Sequence, residues 1–404
     1  MIRAAASPPR LLTLILLTAL SVLSLNMFLP SLPNIAKDLQ ADYALASLSI
    51  AGYLATTAVL QLVMGPLSDR FGRRPVLLAG LAIFVFASLG CALATDIWTF
   101  LAFRILQGAV ISGAALSRAV IRDMMAPREA ASVLAYVGMA MAVAPMLGPL
   151  LGGLLDALFG WRASFFAFLA MGIVVLGLCW IDLGETNQSP SETFMKQFRS
   201  YPELLRSRRF WGYALCMMFS TAAFYAFIAG APLVAEALFG MSPAVLGFCL
   251  GTITAGFAVG SYLWGRYAKR HSLAVMMIAG RLVACVGLLA GLALFLAGFV
   301  HPATLFGATI FVGLGNGLTI PSSNAGSLSV RPHLAGSAAG LSGALTVAAG
   351  AVLTSLTGAV ITAANGAFVL LGMMLLTTVL ALLAALYVRR LDSSGEPERA
   401  EAGA

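Results

Sequence analysis

Twelve apolar runs, each long enough to cross a lipid bilayer, govern what this 404-residue chain can fold into. They cover approximately residues 11–36, 43–64, 76–94, 97–121, 131–158, 163–182, 210–235, 243–265, 272–299, 303–327, 334–363 and 366–388, numbered here as spans 1 to 12. A hydrocarbon core of about 30 Å takes roughly 20 apolar residues in a helix. With 60% hydrophobic residues, 10% charged residues and 41 glycines, the composition is that of a polytopic membrane protein and excludes a soluble enzyme. The expected fold is all-α, with twelve transmembrane helices in two six-helix bundles.

Basic residues set the expected orientation. With the N-terminus in the cytoplasm, all but four of the 24 lysines and arginines fall in cytoplasmic segments. Lys37 and Arg162 lie outside, and Arg104 and Arg281 lie within spans. The positive-inside rule therefore predicts both termini in the cytoplasm. The net charge of +8 is a topogenic signal and not a nucleic-acid footprint, because it is divided among short separate loops. Arg3 and Arg10 precede an apolar run as in a signal peptide, but no small-x-small cleavage site is well placed, so span 1 is expected to be retained.

Several chemistries are excluded by residue usage. Cys91, Cys179, Cys216, Cys249 and Cys285 are isolated in separate spans and read as small buried hydrophobes, not as a disulfide or metal framework. His271, His301 and His333 fall in loops, which argues against an intramembrane histidine relay. None of Lys37, Lys196 and Lys269 precedes Ser or Thr, so the phosphate-cradling loop of a nucleotide-driven motor is absent. No cluster of His, Asp and Glu within the spans supports an embedded enzyme.

The chain divides into an N-terminal bundle at 1–182, a polar linker at 183–209 with Phe194, Phe198 and Tyr201 in its middle, a C-terminal bundle at 210–390 and a tail at 391–404, too short for a signalling domain. The turn at 65–75, Gly-Pro-Leu-Ser-Asp-Arg-Phe-Gly-Arg-Arg-Pro, joins spans 2 and 3. Gly265-Arg266 opens the matching turn between spans 8 and 9, a weak internal repeat. Gly65 and Gly72 suit positive φ in a tight turn, and Asp69 is the turn's acceptor.

Arg104 stands about 10 Å inside span 4, where a guanidinium costs ~3 kcal/mol and calls for a polar surrounding. Gln107 follows on the same face, and Asn26 adds a polar group from span 1. An arginine snorkelling to the interface is the alternative, and for Arg281 it has equal standing. Phe224 and Tyr225 in span 7 and Asn316 and Asn324 around Pro321 in span 10 complete the candidate cavity, with Pro321 read as a helix interruption. Gly148, Pro149, Gly152 and Gly153 combine a kink with small residues in span 5; on physics alone this is a tightly packed, bent membrane helix.

The turn at 65–75 resembles the signature loop of the major facilitator superfamily. Leu29-Pro30-Ser31-Leu32-Pro33, Arg104-x-x-Gln107-Gly108 and Gly148-Pro149-x-x-Gly152-Gly153 resemble its twelve-helix drug:proton antiporters. Arg122-Asp123 is similar to the bicyclomycin/chloramphenicol resistance (Bcr/CflA) subfamily. The resemblance implies a multidrug efflux antiporter of the bacterial inner membrane, a monomer that exports small amphipathic compounds by alternating access. It has no cofactor, and the proton gradient is its energy source. It implies a conformational latch of Gly65, Asp69, Arg70, Gly72, Arg73, Arg74, Arg122 and Asp123, with Asp69 against the start of span 11. It also implies a coupling role near Arg104 and an antiporter motif at Gly148, Pro149, Gly152 and Gly153. One departure is plain: where the subfamily carries an aspartate in span 1, this chain has Asn26, which cannot titrate. Proton coupling then falls to a boundary carboxylate such as Asp123, Asp156 or Glu236, to the Asp69/Asp123 group, or to a proton carried on the substrate, and neutral or anionic compounds are favoured. An uptake or metabolite-exchange carrier of the same fold is the alternative.

Overall fold

The computed structural model describes residues 9–125, 127–187, 201–268, 270–331, 334–362 and 364–393. Phe194 and Phe198 of the expected amphipathic linker lie outside these. The twelve spans are Leu11–Asp38, Tyr43–Phe71, Arg73–Leu93, a broken helix at Ile97–Gln107 and Ile111–Met124, then Pro127–Phe159, Arg162–Asp182, Arg208–Phe239, Pro243–Tyr267, Leu273–Leu296, Pro302–Ser329, Ala335–Val360 and Gly366–Ser393. Helix starts carry the expected caps. Ser207, Ser242 and Ser272 accept from the amides of Phe210, Val245 and Val275. Asp96 opens span 4 by accepting from the Thr99 hydroxyl and amide, which together hold its carboxyl below the usual range.

The two halves repeat one packing scheme. In the first, span 1 packs on spans 5 and 6, span 2 on span 4, and span 3 on spans 4 and 6. Adding six to each number gives the pairs of the second half: 7 on 11 and 12, 8 on 10, and 9 on 10 and 12. The pair joining the halves obeys the same rule, since span 5 packs on span 8 and span 2 on span 11. Two six-helix bundles related by a pseudo-two-fold axis are the result. Tyr201–Arg206, a short helix of the linker, buries Tyr201 and Leu204 against Phe210, Ala338 and Leu341 of the second bundle.

Three local expectations change. Gly65 is helical, because span 2 continues through the charged segment to Phe71; only Gly72, at φ +95°, separates it from span 3. Pro321 does not interrupt span 10, which runs unbroken from Pro302 to Ser329. A proline within a helix removes one donor, and here the Gly317 carbonyl loses its partner while the helix carries on. The interruptions lie in spans 1 and 4, as 3₁₀ turns at Leu29–Ser31 and Gly108–Val110.

Span 5 makes close backbone contacts with spans 1 and 8. A Cβ on Gly152 would stand 1.5 Å from the Met27 carbonyl oxygen of span 1, and one on Gly153 would stand 2.2 Å from the Pro243 carbonyl oxygen of span 8. Gly247 of span 8 meets the Pro149 carbonyl oxygen at 2.2 Å in the same sense. Small residues permit such approach where lipid supplies no hydrophobic drive between helices. Gly152→Ala is expected to destabilise the detergent-purified protein by about 1–3 kcal/mol, read as a lowered melting temperature. Gly177→Ala, at a site with no atom within 4 Å, serves as the unchanged control.

Candidate functional site

The basic turn is a network of three helix ends. Asp69 Oδ1 lies 2.5 Å from Arg73 Nη1, one helical turn ahead, and Arg73 Nε donates to Asp123 Oδ2 of span 4 at 3.2 Å. Arg73 Nη1 also donates to Ser68 Oγ. A third partner comes from the end of span 6. The Glu185 carboxylate accepts from the backbone amides of Arg73 (2.9 Å) and Arg74 (3.2 Å), capping the start of span 3 where the helix dipole favours an anion. Arg74 reaches back to the Leu183 and Trp180 carbonyls and stacks on the Trp180 ring at 5.1 Å. Asn187 donates to the Asp69 carbonyl at 2.7 Å, and Thr186 donates to Asp123.

Gly72 is doubly constrained in this arrangement. Its φ of +95° disfavours a side chain, and a Cβ there would stand 2.4 Å from Glu185 Oε2. Arg70 stacks on Phe71 at 5.4 Å. Arg122 is part of the span 4 helix, but its side chain lies outside the described residues. The implied contact of Asp69 with the start of span 11 also falls largely on residues outside them. Sequence reading passed over Glu185, Thr186 and Asn187 as linker, although this acidic-hydroxyl-amide run directly after span 6 has the donors and acceptors a helix end needs.

The second centre surrounds Arg104, which is completely buried. Nη1 donates to Gln107 Oε1 at 2.5 Å and to the Ser24 carbonyl at 3.3 Å, and Gln107 Nε2 donates to Ser88 Oγ of span 3 at 2.7 Å. The guanidinium carbon lies 4.1 Å from the Phe28 ring centroid and 4.8 Å from that of Tyr53, so π faces replace a counter-ion. Arg104 Nε and Nη2 are buried without a partner, and no carboxylate pairs with the residue among those described. Asn26 does not join this group. Its amide donates to the Val22 carbonyl, and its side chain packs on Gly148.

Arg281 is not a snorkelling residue. It is completely buried, with Nε donating to Thr319 Oγ1 at 2.9 Å and Nη2 to Asn316 Oδ1 at 2.7 Å. Asn316 is thereby committed to the seam between spans 9 and 10. Asn324 is exposed, Phe224 is half-buried against Tyr225 at 5.9 Å, and Tyr225 packs on Gly350 of span 11. An apolar groove of about 710 Å³ opens between spans 2, 4 and 11, with Leu48, Gly52, Trp98, Ile105, Val352 and Leu356 on its walls. None of the residues expected to line a cavity lies on it.

The family model of the Major Facilitator Superfamily matches residues 14–346 and, in a second overlapping match, 214–404. The chain belongs to the Major Facilitator Superfamily. It is a transporter of that superfamily and not an enzyme. It is 32% identical over 349 residues to an uncharacterized MFS-type transporter, YdgK, of Bacillus subtilis, covering 84% of this chain and 86% of that protein. It is 31% identical to a chloramphenicol resistance protein of Pseudomonas aeruginosa over 78% of this chain and 76% of the relative. To multidrug resistance protein D of Escherichia coli it is 29% identical, over 83% and 84%. Among solved structures, an inward-facing bacterial homologue of the human lysosomal transporter Spinster superposes with a TM-score of 0.75 at 17% identity, over 95% of this chain and 96% of that one. A peptide transporter POT gives 0.77, also at 17% identity, over 95% and 97%. At that identity the two structures establish the superfamily fold alone.

Glu185→Ala is expected to reduce transport while leaving membrane insertion intact, since it frees two helix-start amides of span 3 and loosens Arg73. Transport and expression of the two proteins in matched vesicles check this. Arg104→Lys keeps the charge but not the planar fork or the ring stacking, and is expected to lose at least about tenfold in transport rate, equivalent to ~1.4 kcal/mol.

Proposed function

We propose that the chain is an exporter in the bacterial inner membrane, with its basic ends and both termini in the cytoplasm, that moves small amphipathic compounds outward by alternating access, driven by proton antiport. The observation that carries the reading is the fully buried Arg104, a cation balanced only by ring faces and neutral acceptors, on a chain whose relatives are named as chloramphenicol and multidrug resistance proteins. An uncompensated cation at this depth disfavours strongly cationic cargo, so the proposed substrates are neutral or anionic. In this reading the Asp69–Arg73–Asp123–Glu185 network latches the cytoplasmic ends of spans 2, 3, 4 and 6 during the cycle, and the protein works as a monomer. The driving force is sufficient: one charge crossing roughly 150 mV supplies about 3.5 kcal/mol, enough for two to three decades of gradient.

The test is a susceptibility screen of an efflux-deficient host against phenicols, bicyclomycin-like compounds, sulfonamides and fluoroquinolones. Expression is expected to raise tolerance to at least one class, and Arg104→Ala to abolish the gain. In everted vesicles, accumulation of that compound is expected to collapse with a protonophore. Accumulation indifferent to the protonophore removes the antiport, and sensitisation of the host in place of protection makes the chain an uptake carrier.

A further inference from the structure

Several carboxylates at the helix ends are ion-paired, while Asp96 is held by Thr99 and Glu185 by backbone amides. Asp69 and Asp123 meet Arg73, Asp38 meets Arg162, Asp182 meets Arg10, and Glu236 meets Lys37. Asp156 of span 5 is different. It is 7% exposed, the one buried carboxylate among the described residues, and none of their cations pairs with it. Asn34 Nδ2 of span 1 donates to its Oδ2 at 2.8 Å. The Ser31 hydroxyl, fully buried and without another partner, lies beside it and can donate to the carboxylate or accept from the acid.

Its position gives the charge a mechanical meaning. Gly152 and Gly153 precede Asp156 by four and three residues and so share its helix face. That is the face on which the span 5 backbone touches Met27 of span 1 and Pro243 of span 8, in the opposite bundle. Asp156 therefore stands against span 1 of its own bundle, one turn from the contact of Gly153 with span 8 of the other, at the end away from the basic turns. Among the described residues no neighbouring cation pairs with it, and Arg104 of span 4 is engaged by Gln107, the Ser24 carbonyl and the Phe28 and Tyr53 rings. On span 1, Lys37 is bound to Glu236 of span 7 and Asp38 to Arg162 at the head of span 6. The half of span 8 that meets span 5 carries Cys249 and no charged group. Arg118, Arg122 and Asp123 of span 4, Arg128 and Glu129 of span 5, Asp182 of span 6, Arg10 of span 1 and Arg266 of span 8 all belong to the basic end.

We propose that Asp156 is a proton-binding site of the outer seam. One proton passes from the outer water to the carboxylate oxygen that Asn34 leaves free when the seam is parted, and the seam then closes on a neutral acid. Burying an unpaired negative charge is costly, and the proton removes the charge, so protonation and closure favour each other. Placing this end outside rests on the orientation proposed above; the site itself does not. The sign of the effect is diagnostic. A proton on Asp156 closes the outer end, whereas a proton on Glu236 would break its pair with Lys37, which ties spans 1 and 7 across the same end, and would open it.

The experiment is a distance measurement between spin labels at Phe159→Cys and Phe299→Cys, both exposed, in a chain whose five native cysteines are replaced by alanine. In lipid nanodiscs, lowering the pH from about 7.5 to about 5.5 is expected to enrich the short-distance population. Asp156→Asn is expected to show that population at both values, and Asp156→Glu to keep the response. The proposal is overturned if the parent protein does not respond, if Asp156→Asn follows pH as the parent does, or if acid lengthens the distance and Glu236→Gln abolishes that change. In proteoliposomes with pH changed on one side only, a response to the side bearing the basic turns overturns the orientation and leaves the Asp156 site standing.

Discussion

The structure depends on a contact made chiefly by backbone atoms. Gly152 and Gly153 let one stretch of span 5 lie backbone to backbone against span 1 of its own bundle and span 8 of the other, and Gly247 returns the approach from span 8. Helices in lipid gain little from hydrophobic burial against each other, so shape complementarity has to do the joining. Between spans 2 and 11, the pseudo-symmetric counterpart, glycines instead admit side chains, with Gly358 against the Ser47 hydroxyl and Gly343 against the Gln61 amide. A seam of this kind is close-fitting yet crossed by few directional bonds, among them Tyr43 Oη donating to the Ala229 carbonyl at 2.6 Å and the Lys37–Glu236 pair. Such a seam can hold two bundles together in more than one relative tilt.

The broken spans follow from the same economy of space. Span 1 turns at Leu29–Ser31 beside the contact with Gly152, and span 4 turns at Gly108–Val110, one residue after Gln107. Between these two turns sits Arg104, with Ser24 on one side and Phe28 on the other. In the second bundle Arg281 occupies the seam of spans 9 and 10, the counterpart of the seam of spans 3 and 4 that the Gln107–Ser88 bond closes. Each bundle thus encloses a guanidinium held by neutral partners, one contributed by span 4 and one by span 9.

The number and order of the spans were legible because a twenty-residue apolar run has one good solution in a bilayer. Helix ends were less so. Leu-Ser-Asp-Arg-Phe at 67–71 reads as loop by polarity, yet the helix continues through it, since charge at a helix end beyond the lipid costs little and Gly72 alone suffices to turn the chain. Glu185 escaped notice because its partners are 112 and 111 residues away, and no local pattern records a cap supplied from that distance. Pro321 misled for a different reason. A proline marks a missing donor, but whether a helix breaks there depends on what packs around it, and Gly317 lies directly against the span 8 backbone at Phe257. Arg104 was legible as a costly residue needing company, but its company of rings, Phe28, Tyr53 and Phe165 of spans 1, 2 and 6, was not, because their spacing along the chain has no periodicity.

Asn26 remains the residue that separates this chain from the pattern it resembles. It faces Gly148 on the seam of spans 1 and 5, and Asp156 lies on that same seam eight residues further along span 5, about 12 Å towards the other end at 1.5 Å per residue. A carboxylate at position 26 would lie two residues from Ser24, whose carbonyl Arg104 already contacts, and would compete with the ring faces for the guanidinium. A carboxylate at 156 makes no ion pair with that cation among the described residues, so in the proposed cycle its charge answers to the parting of the bundles and not to Arg104. Moving the acid along the seam therefore separates two tasks that one ion pair in the middle of the bundle would combine. Arg104 is left as a fixed cation, and the seam acquires a charge whose cost depends on whether the two bundles are closed upon it.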